Sequence, residues 1–389
     1  CEATWRELPF FISNLSDMNI RTTLITLVMA VASMSARAGN GGTLRTSVGR
    51  QMLIGAAVEP YQLQNDTTAW AQLLTSQFNA IVGANCMKAD ALQPHEGEFR
   101  WAAADAMVSF AQRHDMAVIG HCLVWHSQCP RWMFRDTDGS AVSRDNLIRR
   151  MRRHIHTVVG HFRGRVRGWD VVNEAIGDDG QLRPTPYLQI IGPEYISLAF
   201  RFAHEADPEA ELYYNDYSMA NPRKRAAVCR LIRSLRTEGL RIDAVGMQSH
   251  NGLNYPSLSE YETTIDSLAA CGVRVMITEL DINVLPNPRN FGGADISQHF
   301  QADARYNPYT GGLPQEVAGQ LTRRYMDFFN IYYRHRHQIS RINLWGVSDA
   351  DSWLNNFPIH GRTNYPLLFD RSLRPKPAVA QIIQLFSGE

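Results

Sequence analysis

Beyond residue 38 the chain alternates between two patterns of apolar and polar positions. Short, nearly continuous apolar runs fall at 53–58 (LIGAAV), 80–86 (AIVGANC), 117–125 (AVIGHCLVW) and 166–174 (VRGWDVVNE). Four more follow at 211–217 (ELYYNDY), 244–250 (AVGMQSH), 274–282 (RVMITELDI) and 342–349 (INLWGVSD). Runs of this length are expected of strands buried on both faces of a parallel sheet. Between them lie longer segments with helical spacing, among them 143–162, 221–238, 258–270 and 314–337. Asn221-Pro222 offers a capping side chain followed by proline at the first helical position. Gly239 and Gly272 stand where helices should end. Eight strands alternating with helices predict an α/β fold, a (β/α)₈ TIM barrel, as one domain over 39–389. The stretch 285–313, rich in Asn, Gly and Pro, predicts a long loop on the functional face.

The first residues follow neither pattern. Arg21, the apolar run 24–34 and Ala36-Arg37-Ala38 form a positive start, a short hydrophobic region and a small-x-small cleavage site. That order predicts a secretory signal peptide over 18–38, cleaved after Ala38, and a secreted or periplasmic protein. The apolar run is too short to span a bilayer. Residues 1–17 precede this segment and read as upstream read-through rather than structure. A lipidated Cys1 is the alternative, but a lipoprotein should not carry a second export segment behind its anchor.

Composition narrows the function classes. Of 389 residues, 44% are hydrophobic and 20% charged, and the formal net charge is +1. No global field therefore favours nucleic acid or an anionic membrane. The basic run Arg149-Arg150-Met151-Arg152-Arg153 reads as a solvated helix face. Cys86, Cys122, Cys129, Cys229 and Cys271 show no CxxC pair and no zinc spacing, and read as buried thiols. A disulfide through Cys122 or Cys129 stays open in an oxidising compartment.

In such a barrel the working residues sit at the C-terminal ends of the strands. Those ends carry Asn85 and Lys88; His121, Trp125 and His126; Asn173 and Glu174; Asn215 and Asp216; Gln248 and His250; Glu279 and Asp281; Trp345 and Asp349. Any one of them serves equally well as a structural hydrogen-bonding group. Their convergence on one face points to a site. Indoles stack on sugar rings, while amides and carboxylates bind hydroxyls. The chain has no glycine-rich phosphate cradle, no HExxH and no Gly-x-Ser-x-Gly elbow. His121 and His126 alone are too few to hold a metal.

Read together, these strand ends resemble glycoside hydrolase family 10, the endo-β-1,4-xylanases. Trp169-Asp170-Val171-Val172-Asn173-Glu174 resembles its acid/base motif, and Ile277-Thr278-Glu279-Leu280-Asp281 its nucleophile motif. HCLVWHS (121–127), YNDY (214–217), GMQSH (246–250) and WGVSDADSW (345–353) match further motifs in order, so the resemblance covers roughly 50–385. It implies a monomeric, retaining enzyme that cleaves xylan and xylo-oligosaccharides without metal or cofactor. Glu174 would be the acid/base and Glu279 the nucleophile. His250 would hold the nucleophile, Asp281 would orient that imidazole, and Asn173 would bond the sugar 2-hydroxyl. Asn85, Lys88, His121, Trp125, Asn215, Gln248, Trp345 and Trp353 would contact substrate, while Trp70 and Trp132 read as packing.

One departure stands out. Before Asn85 the family usually has a glutamate that bonds the sugar in the −2 subsite, and here the residue is Ala84. Ala89 also replaces a larger residue. Losing such a carboxylate costs about 1–3 kcal/mol in binding, so a weakened or altered −2 subsite is expected. Two rival readings follow. One is a β-1,4-glucan hydrolase with relaxed specificity. The other is an inactive glycan-binding protein, against which both carboxylates argue.

Overall fold

All eight apolar runs become strands in the computed structural model, which describes residues 42–388. They are β1 (Leu53–Val58), β2 (Ala80–Gly83), β3 (Ala117–Val124), β4 (Gly168–Asn173), β5 (Glu211–Asp216) and β6 (Ala244–Met247), followed by β8 (Arg274–Asn283) and β9 (Ile339–Leu344). Between the last two groups lies a three-residue strand, β7 (His250–Gly252), that pairs only with β8. Every pairing is parallel. The ring closes because β1 pairs with both β2 and β9 while β6 pairs with β8. The result is a (β/α)₈ barrel.

Closure explains the continuous apolar runs. One face of each strand fills the barrel, where Ala57, Val82, Ile119, Tyr213, Ala244 and Met276 form a buried cluster. The other face packs against the surrounding helices in a second, larger core. Gly120 shows how tightly strands β3 and β4 fit. A Cβ there would lie 2.1 Å from Trp169 Cε3. The helical segments start and stop close to where the pattern places them. Pro222–Thr237 is capped by Asn221, whose side chain accepts from Arg223 N at 2.9 Å. Gly239 and Gly272 adopt φ of 74° and 80°, a left-handed conformation open to glycine at little cost.

Six of the eight strands end earlier than their apolar runs, β1 and β8 being the exceptions. β4 stops at Asn173 because Glu174 has φ of 58°, and β6 stops before Ser249, at 64°. β9 covers 339–344 rather than 342–349, and Gly346, with φ of 130°, turns the chain away from the sheet. Hydrophobicity persists past these points because the chain is still buried, so it does not mark where pairing ends. The stretch 285–313 is irregular except for a single 3₁₀ turn, Ala304–Tyr306. The proposed signal peptide and the residues before it lie outside the described residues. No described helix is long and apolar enough to cross a membrane. Cys86, Cys122, Cys129, Cys229 and Cys271 are free thiols, two of them only partly buried.

Asp349 turns out to be part of the scaffold. It is buried, accepts Leu367 N at 2.9 Å and pairs with Lys376 at 2.8 Å. Lys376 immediately precedes the helix Pro377–Ser387, so this pair fixes the C-terminal segment to the barrel. Burial pushes Asp349 up to about 6 despite the lysine. Lys376→Met should therefore cost about 3 kcal/mol at neutral pH by leaving a buried carboxylate unpaired. Urea unfolding followed by circular dichroism measures it, and the loss should shrink on acidification as Asp349 takes up a proton.

Candidate active site

A cleft opens at the C-terminal ends of the strands. Asn85, Lys88, His121, Trp125, Asn173, Glu174, Gln248, His250, Glu279, Trp345 and Trp353 all line it. Ala294 and Ile296 join them from the long loop after β8. Two of the expected residues lie beneath the surface instead. Asn215 and Asp281 are fully buried, and Asn215 spends both side-chain polar atoms on its neighbours. Asn215 is thus placed to support the cleft rather than to touch substrate.

Glu279 sits within β8, held from two sides. Asn215 Nδ2 donates to its Oε1 at 2.8 Å, and His250 Nε2 lies 3.2 Å from its Oε2. The other ring nitrogen, Nδ1, is 3.0 Å from Asp281 Oδ2, which also accepts from Trp353 Nε1 at 2.7 Å. Burial pulls the His250 imidazole down, but Asp281 and Glu279 outweigh it and raise the pKa to about 10. For Glu279 burial acts upward. The His250 hydrogen bond, the His121 and His250 charges and the Asn215 amide together reverse it and hold the carboxyl below its usual value. Glu279 is therefore ionised at neutral pH.

Glu174 meets the opposite environment. It follows β4 with a left-handed backbone that aims its side chain into the cleft. Trp125 Nε1 donates to Oε2 at 2.9 Å, and Gln248 Nε2 donates to Oε1 at 2.9 Å. Asn173 Nδ2 adds a weaker donor to Oε1 at 3.2 Å. No cation bonds it. Burial, then the negative charge of Asp216, push it up to about 7, with Glu279 adding to the rise and the Gln248 and Trp125 hydrogen bonds opposing it. Asp216 is itself buried against Lys224 at 2.7 Å and does not line the cleft.

At the other end of the cleft, Lys88 Nζ donates to Asn85 Oδ1 at 3.1 Å and Gln128 Oε1 at 2.6 Å. It lies 5.0 Å from the Trp125 ring centroid. His121 Nδ1 is 2.9 Å from Asp170 Oδ2, which fixes the ring beneath Trp345, whose centroid lies 5.4 Å away. His126 does not line this cleft, and burial lowers it to about 4. No group of three or more His, Cys, Asp or Glu is placed to hold a metal among the described residues. Trp70 and Trp132 pack against the core, and Trp132 Nε1 donates to Gln93 O at 2.9 Å.

An ionised carboxylate and a carboxyl with raised pKa therefore share one cleft rimmed by indoles and amides. Residues 43–385 match the pattern of glycosyl hydrolase family 10. The chain belongs to that family. It is 48% identical over 366 residues to endo-1,4-beta-xylanase A of Xylanibacter ruminicola, covering 94% of this chain and 99% of that protein. It is 40% identical over 346 residues to endo-1,4-beta-xylanase of Geobacillus stearothermophilus, covering 88% and 98%. A solved family 10 endoxylanase retrieved from a sugarcane soil metagenome superposes with a TM-score of 0.83 at 44% identity, covering 87% of this chain and 98% of that one.

Several contributors to this family 10 cleft have no role assigned by the motifs. Asp170 is visible in hindsight, since a carboxylate inside an apolar strand needs a buried partner. Thr278, whose Oγ1 donates to Asn215 Oδ1 at 2.6 Å, sits inside a recognised motif but is easily taken for a strand residue. Gln128 and Glu59 come from turns and carry no local pattern, while Asp351 lies inside the 345–353 motif without a role of its own there.

The His250–Asp281 pair yields a test. Asp281→Asn removes the charge that keeps His250 cationic, so less positive charge faces Glu279 and its pKa rises. The acidic limb of the kcat/KM profile should move to higher pH. Catalysis should fall about tenfold to a hundredfold, the scale of one lost charge-assisted hydrogen bond. Steady-state rates across pH measure both effects.

Proposed function

We propose that this chain is a retaining endo-β-1,4-xylanase that cleaves internal linkages of xylan by double displacement. One observation carries the reading: Glu174 and Glu279 share a cleft, the first with its pKa raised to about 7 and the second held ionised. Retention needs such a pair, an acid to protonate the leaving oxygen and a carboxylate to attack the anomeric carbon. In this reading Glu279 attacks and forms the glycosyl-enzyme while Glu174 gives up its proton. Glu174, then ionised, takes a proton from the water that breaks the intermediate. Asn173 bonds the 2-hydroxyl. Its Oδ1 accepts from Asn215, and its Nδ2, held only by the 3.2 Å contact to Glu174 Oε1, is the group that turns to substrate.

The surroundings support a pentose polymer. Trp353 stacks on Phe357 with centroids 4.5 Å apart and 11° between planes, and its Nε1 is anchored on Asp281. This fixed indole would crowd the 6-hydroxymethyl group of a glucose unit. A second cavity shares His250, Ala294 and Trp353 with the first, so the cleft continues past the carboxylates, as cutting within a chain requires. The names of the similar proteins point the same way. We further infer export directed by residues 18–38 and action as a monomer. Sequencing the N-terminus of the exported protein and sizing it by light scattering check those two points.

Reducing ends should be released from xylan and not from carboxymethylcellulose; equal release from both would favour the glucan reading. Glu279→Ala should abolish cleavage of xylan and of aryl xylobiosides alike. Glu174→Ala should lose about 10²–10⁴-fold on xylan, yet still form the glycosyl-enzyme from a substrate whose phenolate leaves unprotonated. The pH profile has a definite sign. Glu174 must begin protonated, so kcat/KM should fall as pH rises through about 7. An alkaline limb unchanged by Glu174→Gln would assign it to another group.

A further inference from the structure

The glycone end of the cleft contains a carboxylate that belongs to none of the recognised motifs. β1 turns Ala57 into the barrel interior, and Glu59, two residues on, emerges at the mouth on the same face. Ala84 N donates to Val58 O at 3.0 Å, so the ends of β1 and β2 run side by side here. Ala84 itself offers the cleft only a methyl group. From the neighbouring strand end, Glu59 Oε1 accepts from Asn85 Nδ2 at 2.6 Å. Asn85 Oδ1 accepts in turn from Lys88 Nζ at 3.1 Å and Gln128 Nε2 at 3.0 Å.

This chain has a charge logic. Lys88 is buried, and burial pushes its pKa down. It has no ion-pair partner among the described residues. Glu59 forms the negative end of the hydrogen-bonded series Lys88–Asn85–Glu59, so the three groups polarise one another. The Glu59 backbone is also fixed. Its N–H donates to Gln62 Oε1 at 2.8 Å, and Gln62 Nε2 donates to Asp351 Oδ2 at 2.8 Å. A rigid turn, Pro60–Leu63, thus presents a half-buried carboxylate beside two sugar-binding candidates.

We infer that Glu59 performs, from β1, the sugar-binding role for which Ala84 on β2 has no polar group. Its carboxylate accepts hydroxyls of the xylose in the −2 subsite, next to Asn85 and Lys88. This inference rests on the xylanase reading and deepens it. The −2 subsite is then rebuilt from another strand rather than weakened.

The test compares p-nitrophenyl β-xylobioside, which fills the −2 and −1 subsites, with p-nitrophenyl β-xyloside, which fills −1 alone. Glu59→Ala should lower kcat/KM on the xylobioside about tenfold to a hundredfold, the scale of a hydrogen bond to a charged group, and leave the xyloside within about twofold. Glu59→Gln, which keeps the shape, should lose less. Adding Ala84→Glu to Glu59→Ala should restore most of the loss, whereas Ala84→Glu alone should gain nothing. An equal fall on both substrates would mean a structural role and overturn the inference, as would no change on either or a gain from Ala84→Glu alone. Thermal melts of each variant separate misfolding from lost binding. A parent enzyme inactive on xylan and on both glycosides would overturn the xylanase reading itself; an active parent matched by Glu59→Ala would overturn this inference alone.

Discussion

The amide of Asn215 donates to Asn173 Oδ1 and to Glu279 Oε1, while its carbonyl oxygen accepts from Thr278. Gln248 makes the complementary link. Its side chain donates to Glu174, and its backbone carbonyl accepts from Glu279 N at 2.9 Å. Two amides on β5 and at the end of β6 thus tie the carboxylate on β8 to the one after β4. Two buried acids close together destabilise each other when both ionise. The network resolves the conflict unequally. Glu279 receives an imidazolium as well as an amide, whereas Glu174 receives neutral donors alone. The difference in protonation between them follows from that asymmetry of partners, since both are almost equally buried.

The barrel holds this arrangement through backbone conformations that a free chain would avoid. Gln128, Glu174, Ser218 and Ser249 all have positive φ, and they follow β3, β4, β5 and β6 respectively. Each costs on the order of 1–3 kcal/mol unless its surroundings impose it. Here they do. Glu174 N donates to Asn215 O and Arg183 Nε donates to Glu174 O, so the turn is bonded on both sides. Ser249 Oγ bonds Met247 O and Tyr261 Oη. The same turns end the strands early and swing polar side chains from sheet positions into the cleft. Early strand termination and site formation are one event.

A second layer keeps the polar groups oriented. Asp170 fixes His121, Asp281 fixes both His250 and the Trp353 indole, and Lys224 neutralises Asp216 beneath Tyr217. At the glycone end the corresponding layer is the Lys88–Asn85–Glu59 series, drawn from two strands. A motif read along one strand registers the alanine at 84 as a loss. Read across the barrel mouth, the same alanine borders a carboxylate supplied by the strand beside it.

Much of this was legible in the sequence, for a definite reason. Parallel strands covered on both faces must be continuously apolar, so the eight runs and their alternation with helices specify the barrel. Buried polar residues at the run ends have no place in a sheet core, so Glu174, Glu279 and most of their neighbours stand out by type alone. Only the tertiary structure decided the rest. Strand limits depend on backbone turns that hydrophobicity does not register. Asn215 and Asp349 look like cleft residues until their partners are seen to be inside the protein. The unequal pKa values of two glutamates depend on which donors and charges surround each, and those donors come from strands far apart in sequence. Glu59 makes the same point. Nothing next to it in the chain marks it, and its importance comes from Asn85 and Ala84 on the neighbouring strand, which closure of the barrel sets at its side.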